Sequence, residues 1–277
     1  MSGWILSPEQ AHQKLRMGAI LWDARDPQEA ALEPLPGSHR VNWQQFSVIS
    51  RDPQRPDRGL LLEDGSLQQQ LRDLGVCNQI PVVVVGSPPG DGRLVWMLRT
   101  LGHPQAALVN GGYQALVESQ PLPILAARIP GDFQICRTST WWIQQQELQA
   151  CLGQKELTLV DARTLIEFGG EILYGEARAG HLANAINLPI QDLIDPAGQL
   201  LSPQRLDQRL AQAQLKPDQP LIVYCSGGIR AAWLACVLVE RGFQVRNYAG
   251  SMWEWSAGSP QDCPLSWVGG REGEIGP

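Results

Sequence analysis

The sequence predicts an α/β fold of two tandem domains, each with a largely parallel central sheet flanked by helices. Three observations lead to this prediction. The chain resembles itself at a nearly constant offset, each copy alternates strands with helical segments, and 277 residues exceed what one core usually serves. The self-similarity comprises four ordered matches at offsets of 138 to 142 residues: 21–26 with 159–164, 36–42 with 180–187, 81–86 with 220–225, and 109–113 with 248–252. Matches in one order indicate a duplicated domain.

Each copy contains one fully apolar strand, Val82–Val85 in the first and Leu221–Tyr224 in the second. Continuous apolar runs of this length are typical of strands buried on both faces of a parallel sheet. A glycine-rich turn and an apolar helical segment follow, over residues 94–101 and 231–240. Parallel sheets bind ligands beyond the carboxyl ends of their strands. We therefore expect the functional site directly after one of these two strands.

Prolines mark the connection between the copies. Pro121, Pro123 and Pro130 lie close together, and proline suits an extended linker better than a helix. We expect an N-terminal domain over residues 1–120, a linker over 121–134 and a C-terminal domain over 135–277.

Composition excludes several classes of protein. The net charge of −6 argues against nucleic-acid partners, since surfaces that bind nucleic acids are usually basic. No apolar run approaches the ~18 residues of a membrane span, and residues 1–8 lack the basic and apolar regions of a signal peptide. The sequence predicts a cytoplasmic protein without membrane partners.

Cys225 is the candidate nucleophile. It follows the second apolar strand and opens the loop Cys225–Arg230, which contains Gly227 and Gly228. Two glycines allow successive backbone N–H groups to converge on an anion, and the following helix N-terminus adds partial positive charge. A cysteine at a strand end is otherwise a small buried hydrophobe, but this loop favours the reactive thiolate. The other cysteines have no CxxC spacing and no activating neighbours, and we expect them to be inert: Cys77, Cys136, Cys151, Cys236 and Cys263.

The first copy is predicted to be catalytically silent. Gly86 stands where the repeat places Cys225. Pro88 and Pro89 follow, and proline has no N–H to donate, so this loop cannot form the same anion cradle. The first domain is therefore expected to cover one side of the site in the second.

The chain resembles the rhodanese family in its tandem-domain form, which includes thiosulfate sulfurtransferases and 3-mercaptopyruvate sulfurtransferases. The resemblance rests on residues 160–163, 180–187, 225–230 and 248–255, and covers nearly the whole chain. It implies that Cys225 takes a sulfane sulfur from thiosulfate or 3-mercaptopyruvate and passes it, as a persulfide, to cyanide or a thiol. It also implies a cleft between the domains and no metal or organic cofactor. The partners would be a small anionic donor and a small or protein acceptor of sulfur.

Further site residues follow from the loop and from the resemblance. The predicted substrate-binding residues are Ser226, Gly227, Gly228, Ile229, Arg230 and Arg178, with Asp161 and Trp253 in support. Blander interpretations stay open: Arg230 bracing the loop through an acidic partner, Asp161 capping a strand end, Trp253 packing in the core. Glu167 stands where many two-domain members have an arginine, so the donor is left open.

Two other functions compete with sulfur transfer catalysed on small molecules. A non-enzymatic persulfide carrier would keep the same cysteine and loop. A cysteine-dependent phosphatase or arsenate reductase is less favoured, because four residues separate Cys225 from Arg230, whereas the phosphatase loop has five.

Overall fold

The computed structural model describes residues 3–125, 130–154 and 156–267 and contains two five-stranded sheets. All pairings between the named strands are parallel, and the two sheets have the same strand order. The predicted α/β fold with two tandem domains is confirmed.

The first sheet has the order β1-β5-β4-β2-β3. Its strands are β1 (Ile5–Leu6), β2 (Ile20–Asp23), β3 (His39–Arg40), β4 (Val82–Val85) and β5 (Ala106–Val109). Its helices are α1 (Pro8–Arg16), α2 (Pro27–Leu32), α3 (Asp64–Asp73), α4 (Gly90–Thr100) and α5 (Gly112–Ser119), with a 3₁₀ helix at Trp43–Phe46.

The second sheet has the order β6-β10-β9-β7-β8, which repeats the first. Its strands are β6 (Trp142–Ile143), β7 (Thr158–Asp161), β8 (Ile186–Asn187), β9 (Leu221–Tyr224) and β10 (Val245–Tyr248). Its helices are α6 (Gln145–Cys151), α7 (Leu165–Phe168), α8 (Pro203–Gln212), α9 (Ile229–Glu240) and α10 (Ser251–Ala257), with a 3₁₀ helix at Ile190–Leu193.

The two apolar strands found in the sequence, β4 and β9, are the central strands of their sheets. Every residue in both is buried, which explains why neither strand alternates polar and apolar residues. β9 lies between β10 and β7. Cys225 therefore leaves the sheet at the middle of its carboxyl edge.

Helices α4 and α9, which follow these central strands, pack against each other and join the domains. A Cβ atom at Gly92 would lie 2.5 Å from the Cα of Trp233, so the helix backbones approach as closely as glycine allows. Trp22, Trp96 and Trp233 belong to one hydrophobic cluster that extends through both domains. This shared core fixes the first domain against the loop at Cys225.

The proposed limits of the domains and linker stay predictions. Linker residues 126–129, and the termini at 1–2 and 268–277, lie outside the described residues. Residues 121–125 and 130–134 form no helix or strand, and Gly131 and Phe133 donate backbone hydrogen bonds to Arg72 and Val76 of the first domain. Among the described helices, none is both long and apolar enough to cross a membrane.

Candidate active site

Cys225 lies at the carboxyl end of β9 and is 1% exposed. Its backbone N–H donates to Oγ of Ser251 at 3.0 Å, and that hydroxyl donates to the carbonyl of Tyr248 at 2.7 Å. The carbonyl of Cys225 accepts from Met252 N at 3.0 Å. The backbone of the cysteine is thus held at both polar groups by the start of α10.

Gly228 supplies an N–H that points at the thiol. Its amide donates to Cys225 Sγ across 3.1 Å. Gly228 has φ of 78° and caps α9, and a Cβ there would lie 2.2 Å from the carbonyl oxygen of Ala249. Among the described residues, no protein acceptor takes the amides of Ile229 and Arg230. These free donors and the α9 N-terminus can stabilise negative charge on sulfur.

Gly227 is required by the tryptophan beside it. A Cβ at this position would lie 2.3 Å from Cζ3 of Trp253. Trp253 is held by its backbone N–H on the Ser226 carbonyl at 2.8 Å and by Nε1 on the carbonyl of Tyr174 at 3.0 Å. The guanidinium of Arg58 lies 3.9 Å from the centre of the indole ring. The indole ring therefore lies directly against the loop.

Arg230 forms a two-pronged ion pair with Glu167. Its NH1 and NH2 reach the two carboxylate oxygens at 2.7 and 2.6 Å, and NH2 also donates to Oγ of Ser226 at 2.7 Å. Ser226 in turn donates to Glu167 at 3.1 Å. Glu167 is fully buried, and Thr164 donates to it through both N–H and hydroxyl.

The charges of this pair are stable over the physiological range. Burial alone would raise the pKa of Glu167, but hydrogen bonds from Arg230 and Thr164 outweigh it and lower the pKa to about 2. Burial likewise opposes the charge of Arg230, yet the hydrogen bonds to Glu167 raise its pKa above the ordinary value. The pair braces the loop and leaves no net charge at that side of the thiol.

Arg178 and Asp161 lie outside this network. The guanidinium of Arg178 donates to four carbonyls, those of Trp255, Ser256, Gly258 and Cys263. Asp161 binds the side chain of Arg163 through both carboxylate oxygens. In the parallel register it lies beside Tyr224, the residue before the nucleophile. The first domain repeats this ion pair between Arg25 and Asp23, beside a loop without a cysteine.

A cleft of about 470 Å³ opens above Cys225 between the domains. The first domain contributes Trp43, Pro88 and Pro89 to its wall. The remaining lining residues come from the second domain: Thr164, Tyr174, Ile190, Gln191, Ile194, Cys225, Ser226, Gly227, Ile229, Arg230 and Trp253. Most of these side chains are apolar or aromatic.

The other cysteines lack comparable surroundings. All six cysteines are unpaired. Cys236 is buried inside α9 and contacts the carbonyl of Gly92 at 3.6 Å, and burial raises its pKa far above the ordinary value. Burial also raises the pKa of Cys263. In the first domain, Gly86 stands in place of a cysteine directly after β4. A Cβ at Gly112 would lie 2.0 Å from the carbonyl oxygen of Gly86.

The structure adds residues that the sequence did not single out for the site. Ser251 positions the cysteine backbone. Glu167 was noted only as a departure from the family, although Thr164-x-x-Glu167 is a capping-box pattern that predicts its location at a helix start. Arg93 on α4 is also buried and contacts the loop, and its only signal was a charged residue directly before the apolar segment at 94–101.

Comparison with known proteins agrees with this architecture. The model of the rhodanese-like domain matches residues 7–119 and 144–258. A probable 3-mercaptopyruvate sulfurtransferase of Pseudomonas aeruginosa is 31% identical over 234 residues, covering 80% of each chain. A thiosulfate sulfurtransferase of the same organism is 29% identical, covering 90% of this chain and 93% of the relative.

A solved structure shows the same fold. The crystal structure of SseA from Escherichia coli, described among 3-mercaptopyruvate sulfotransferases, superposes with a TM-score of 0.72 at 22% identity, covering 90% of this chain and 99% of SseA. The rhodanese-like domain matches both halves of the chain, and each half forms the same parallel sheet, the second with a thiol at its carboxyl edge. This chain therefore belongs to the rhodanese family, with two rhodanese-like domains in tandem.

Proposed function

We propose that the protein is a sulfurtransferase that carries sulfur as a persulfide on Cys225. The observation that carries this proposal is the Gly228 N–H aimed at Sγ across 3.1 Å, at the N-terminus of α9. A thiolate in such a cradle is a nucleophile that needs no separate base. The related proteins named as sulfurtransferases support the reaction class.

The reaction balances without an added oxidant. The Cys225 thiolate attacks the outer sulfur of thiosulfate, the S–S bond of the donor breaks, and sulfite leaves with the bonding electrons. With 3-mercaptopyruvate, the C–S bond breaks instead and pyruvate is the product once the carbon takes a proton. An acceptor thiolate or cyanide then attacks the outer persulfide sulfur, and Cys225 leaves as the thiolate.

The loop residues have distinct roles in this proposal. The amides of Gly228, Ile229 and Arg230 hold the charged sulfur, and Gly227 leaves room for Trp253. Ser226 and Arg230 act through Glu167, which keeps the loop in shape. Arg178 and Asp161 support neighbouring segments, and any direct contact of Arg178 with substrate stays a prediction.

The donor is thiosulfate or 3-mercaptopyruvate in this proposal. Because Glu167 neutralises Arg230, recognition of the donor anion depends mainly on the loop amides and the helix N-terminus.

The test is the intact mass of the full chain after exposure to thiosulfate and, separately, to 3-mercaptopyruvate. We expect a gain of one sulfur atom, mapped to Cys225, and its removal by cyanide or a thiol. Cys225→Ser should abolish the gain, whereas the matched control Cys236→Ser should keep it. Sulfur uptake by Cys225→Ser, or release of phosphate from a phosphate ester by the wild type without persulfide, would sink the proposal.

A persulfide carrier is the second candidate, favoured by apolar side chains exposed near the cleft. Leu173 and Tyr174 are each about half exposed, and Tyr174 lines the cleft. A carrier would form the same persulfide but turn over slowly with small thiols and cyanide. The ratio of persulfide formation to discharge by small acceptors distinguishes it from an enzyme that acts on small molecules.

A further inference from the structure

Arg93 is a buried cation that the first domain inserts beside the thiol of the second. It lies on α4 and is 1% exposed. No carboxylate among the described residues forms an ion pair with it. Buried charges in proteins are normally paired, because an isolated charge is costly to remove from water. An arginine in this position calls for a counter-anion.

The hydrogen bonds of Arg93 direct it at the reactive loop. NH2 donates to the carbonyl of Gly59 at 2.7 Å, and NH1 lies 3.4 Å from the carbonyl of Gly228. Gly228 is the residue whose amide donates to Cys225 Sγ. The Nε atom is buried without a partner. The guanidinium therefore approaches the carbonyl group of the same residue whose amide donates to the sulfur.

The acidic groups on the elements that surround the loop do not provide that counter-anion. Glu167 on α7 is bound to Arg230 on α9. Burial raises the pKa of Asp91, on α4, to about 7, and burial also raises that of Glu254, on α10. Neither acid forms an ion pair with Arg93 among the described residues. Arg58 is a further cation, held over Trp253.

We propose that Arg93 is the counter-cation of the Cys225 thiolate and persulfide, so that the domain with Gly86 at the position of the nucleophile supplies a positioning residue for the reaction. The inference rests on the proposed function and extends it, because it gives the silent domain an electrostatic role beyond covering the cleft. Burial lowers the pKa of Arg93 to about 10, and a negative charge on Cys225 opposes that decrease. Arg93 therefore stays charged at neutral pH.

The experiment measures the pH at which alkylation of Cys225 by iodoacetamide reaches half its maximal rate, using the full chain and mass spectrometry. Arg93→Gln removes the charge and keeps an amide donor on a shorter side chain. We expect the midpoint to rise by about one pH unit, which is a roughly tenfold loss of thiolate at pH values well below the midpoint. Arg93→Lys keeps the charge and should restore at least half of that shift.

Arg99→Gln is the matched control. Arg99 is another buried arginine of α4, and it donates to backbone carbonyls, including that of Ala106, away from the cleft. Its loss should lower thermal stability without moving the alkylation midpoint. If Arg93→Gln does not fold, Arg93→Met and Arg93→Lys are compared in its place, with the same expected order of midpoints.

Failure of the inference and failure of the proposed function give different results. If thiosulfate or 3-mercaptopyruvate loads Cys225 but neutral Arg93 variants keep the wild-type midpoint, the counter-cation role is refuted and the sulfurtransferase proposal stands. An equal shift in Arg93→Lys and Arg93→Gln would also refute it, since the charge would then not matter. Absence of any persulfide in the wild type refutes the proposed function itself.

Discussion

The ion pair between Glu167 and Arg230 gives a prediction that can be worked through from the structure. Glu167→Gln removes the carboxylate charge but keeps the shape of the side chain. It leaves Arg230, whose side chain is 11% exposed, without its counter-ion. At contacts of 2.6 and 2.7 Å the charge centres lie roughly 4 Å apart, which corresponds to about 4 kcal/mol at an effective dielectric constant near 20.

We expect Glu167→Gln to lower the free energy of unfolding by about 3 kcal/mol, because breaking a buried pair leaves an uncompensated charge. Arg230→Met should have a similar effect. The double variant should lose at least ~2 kcal/mol less than the two single losses added together, since the second change removes the stranded charge. Urea unfolding followed by tryptophan fluorescence measures all four proteins.

The exposed pair of Asp207 with Arg241 is the matched control. Their side chains are 56% and 31% exposed, and Asp207→Asn should cost less than about 1 kcal/mol. If the losses at Glu167 and Arg230 simply add, or if Glu167→Gln costs no more than Asp207→Asn, the bracing role is refuted.

Two further predictions concern the loop and its acid sensitivity. Gly227→Ala should slow persulfide formation at least about tenfold, because its Cβ would lie 2.3 Å from Trp253, whereas Gly65→Ala, with nothing within 4 Å, should not change the rate. An unchanged rate in both variants would contradict this reasoning. The pKa of Glu167 falls from 4.5 to about 2 on folding, so its stabilisation is complete above pH about 4.5 and is lost as pH falls toward 2. Melting temperatures at pH 5, 4 and 3 should fall more steeply in the wild type than in Glu167→Gln; equal slopes would refute the assigned cause.

Much of this fold could be predicted because its signals are local in the chain. The apolar runs at β4 and β9 identify central strands, and the position just after such a strand is an edge of the sheet where ligands bind. Duplication of these patterns predicts two similar domains. The same alignment places Gly86 opposite Cys225, which is why the first copy is predicted to lack the reactive thiol.

The glycines of the loop were predicted only in part. Their number and order indicate a cradle of N–H groups, and the 3.1 Å contact of Gly228 with Cys225 is consistent with it. The sequence did not reveal that Gly227 is required by Trp253, since these residues meet only when α10 packs against the loop.

What the sequence by itself determined is the class of fold, the repeat and the candidate nucleophile, all of which depend on backbone periodicity and residues adjacent in the chain. Only the tertiary structure decided the charges around that nucleophile. Arg230 meets Glu167 across 63 residues, and Arg93 approaches Gly228 across 135. Such contacts depend on the packing of α4 against α9 and on side-chain direction. Local patterns do not encode either of these, although both control the electrostatics at the thiol.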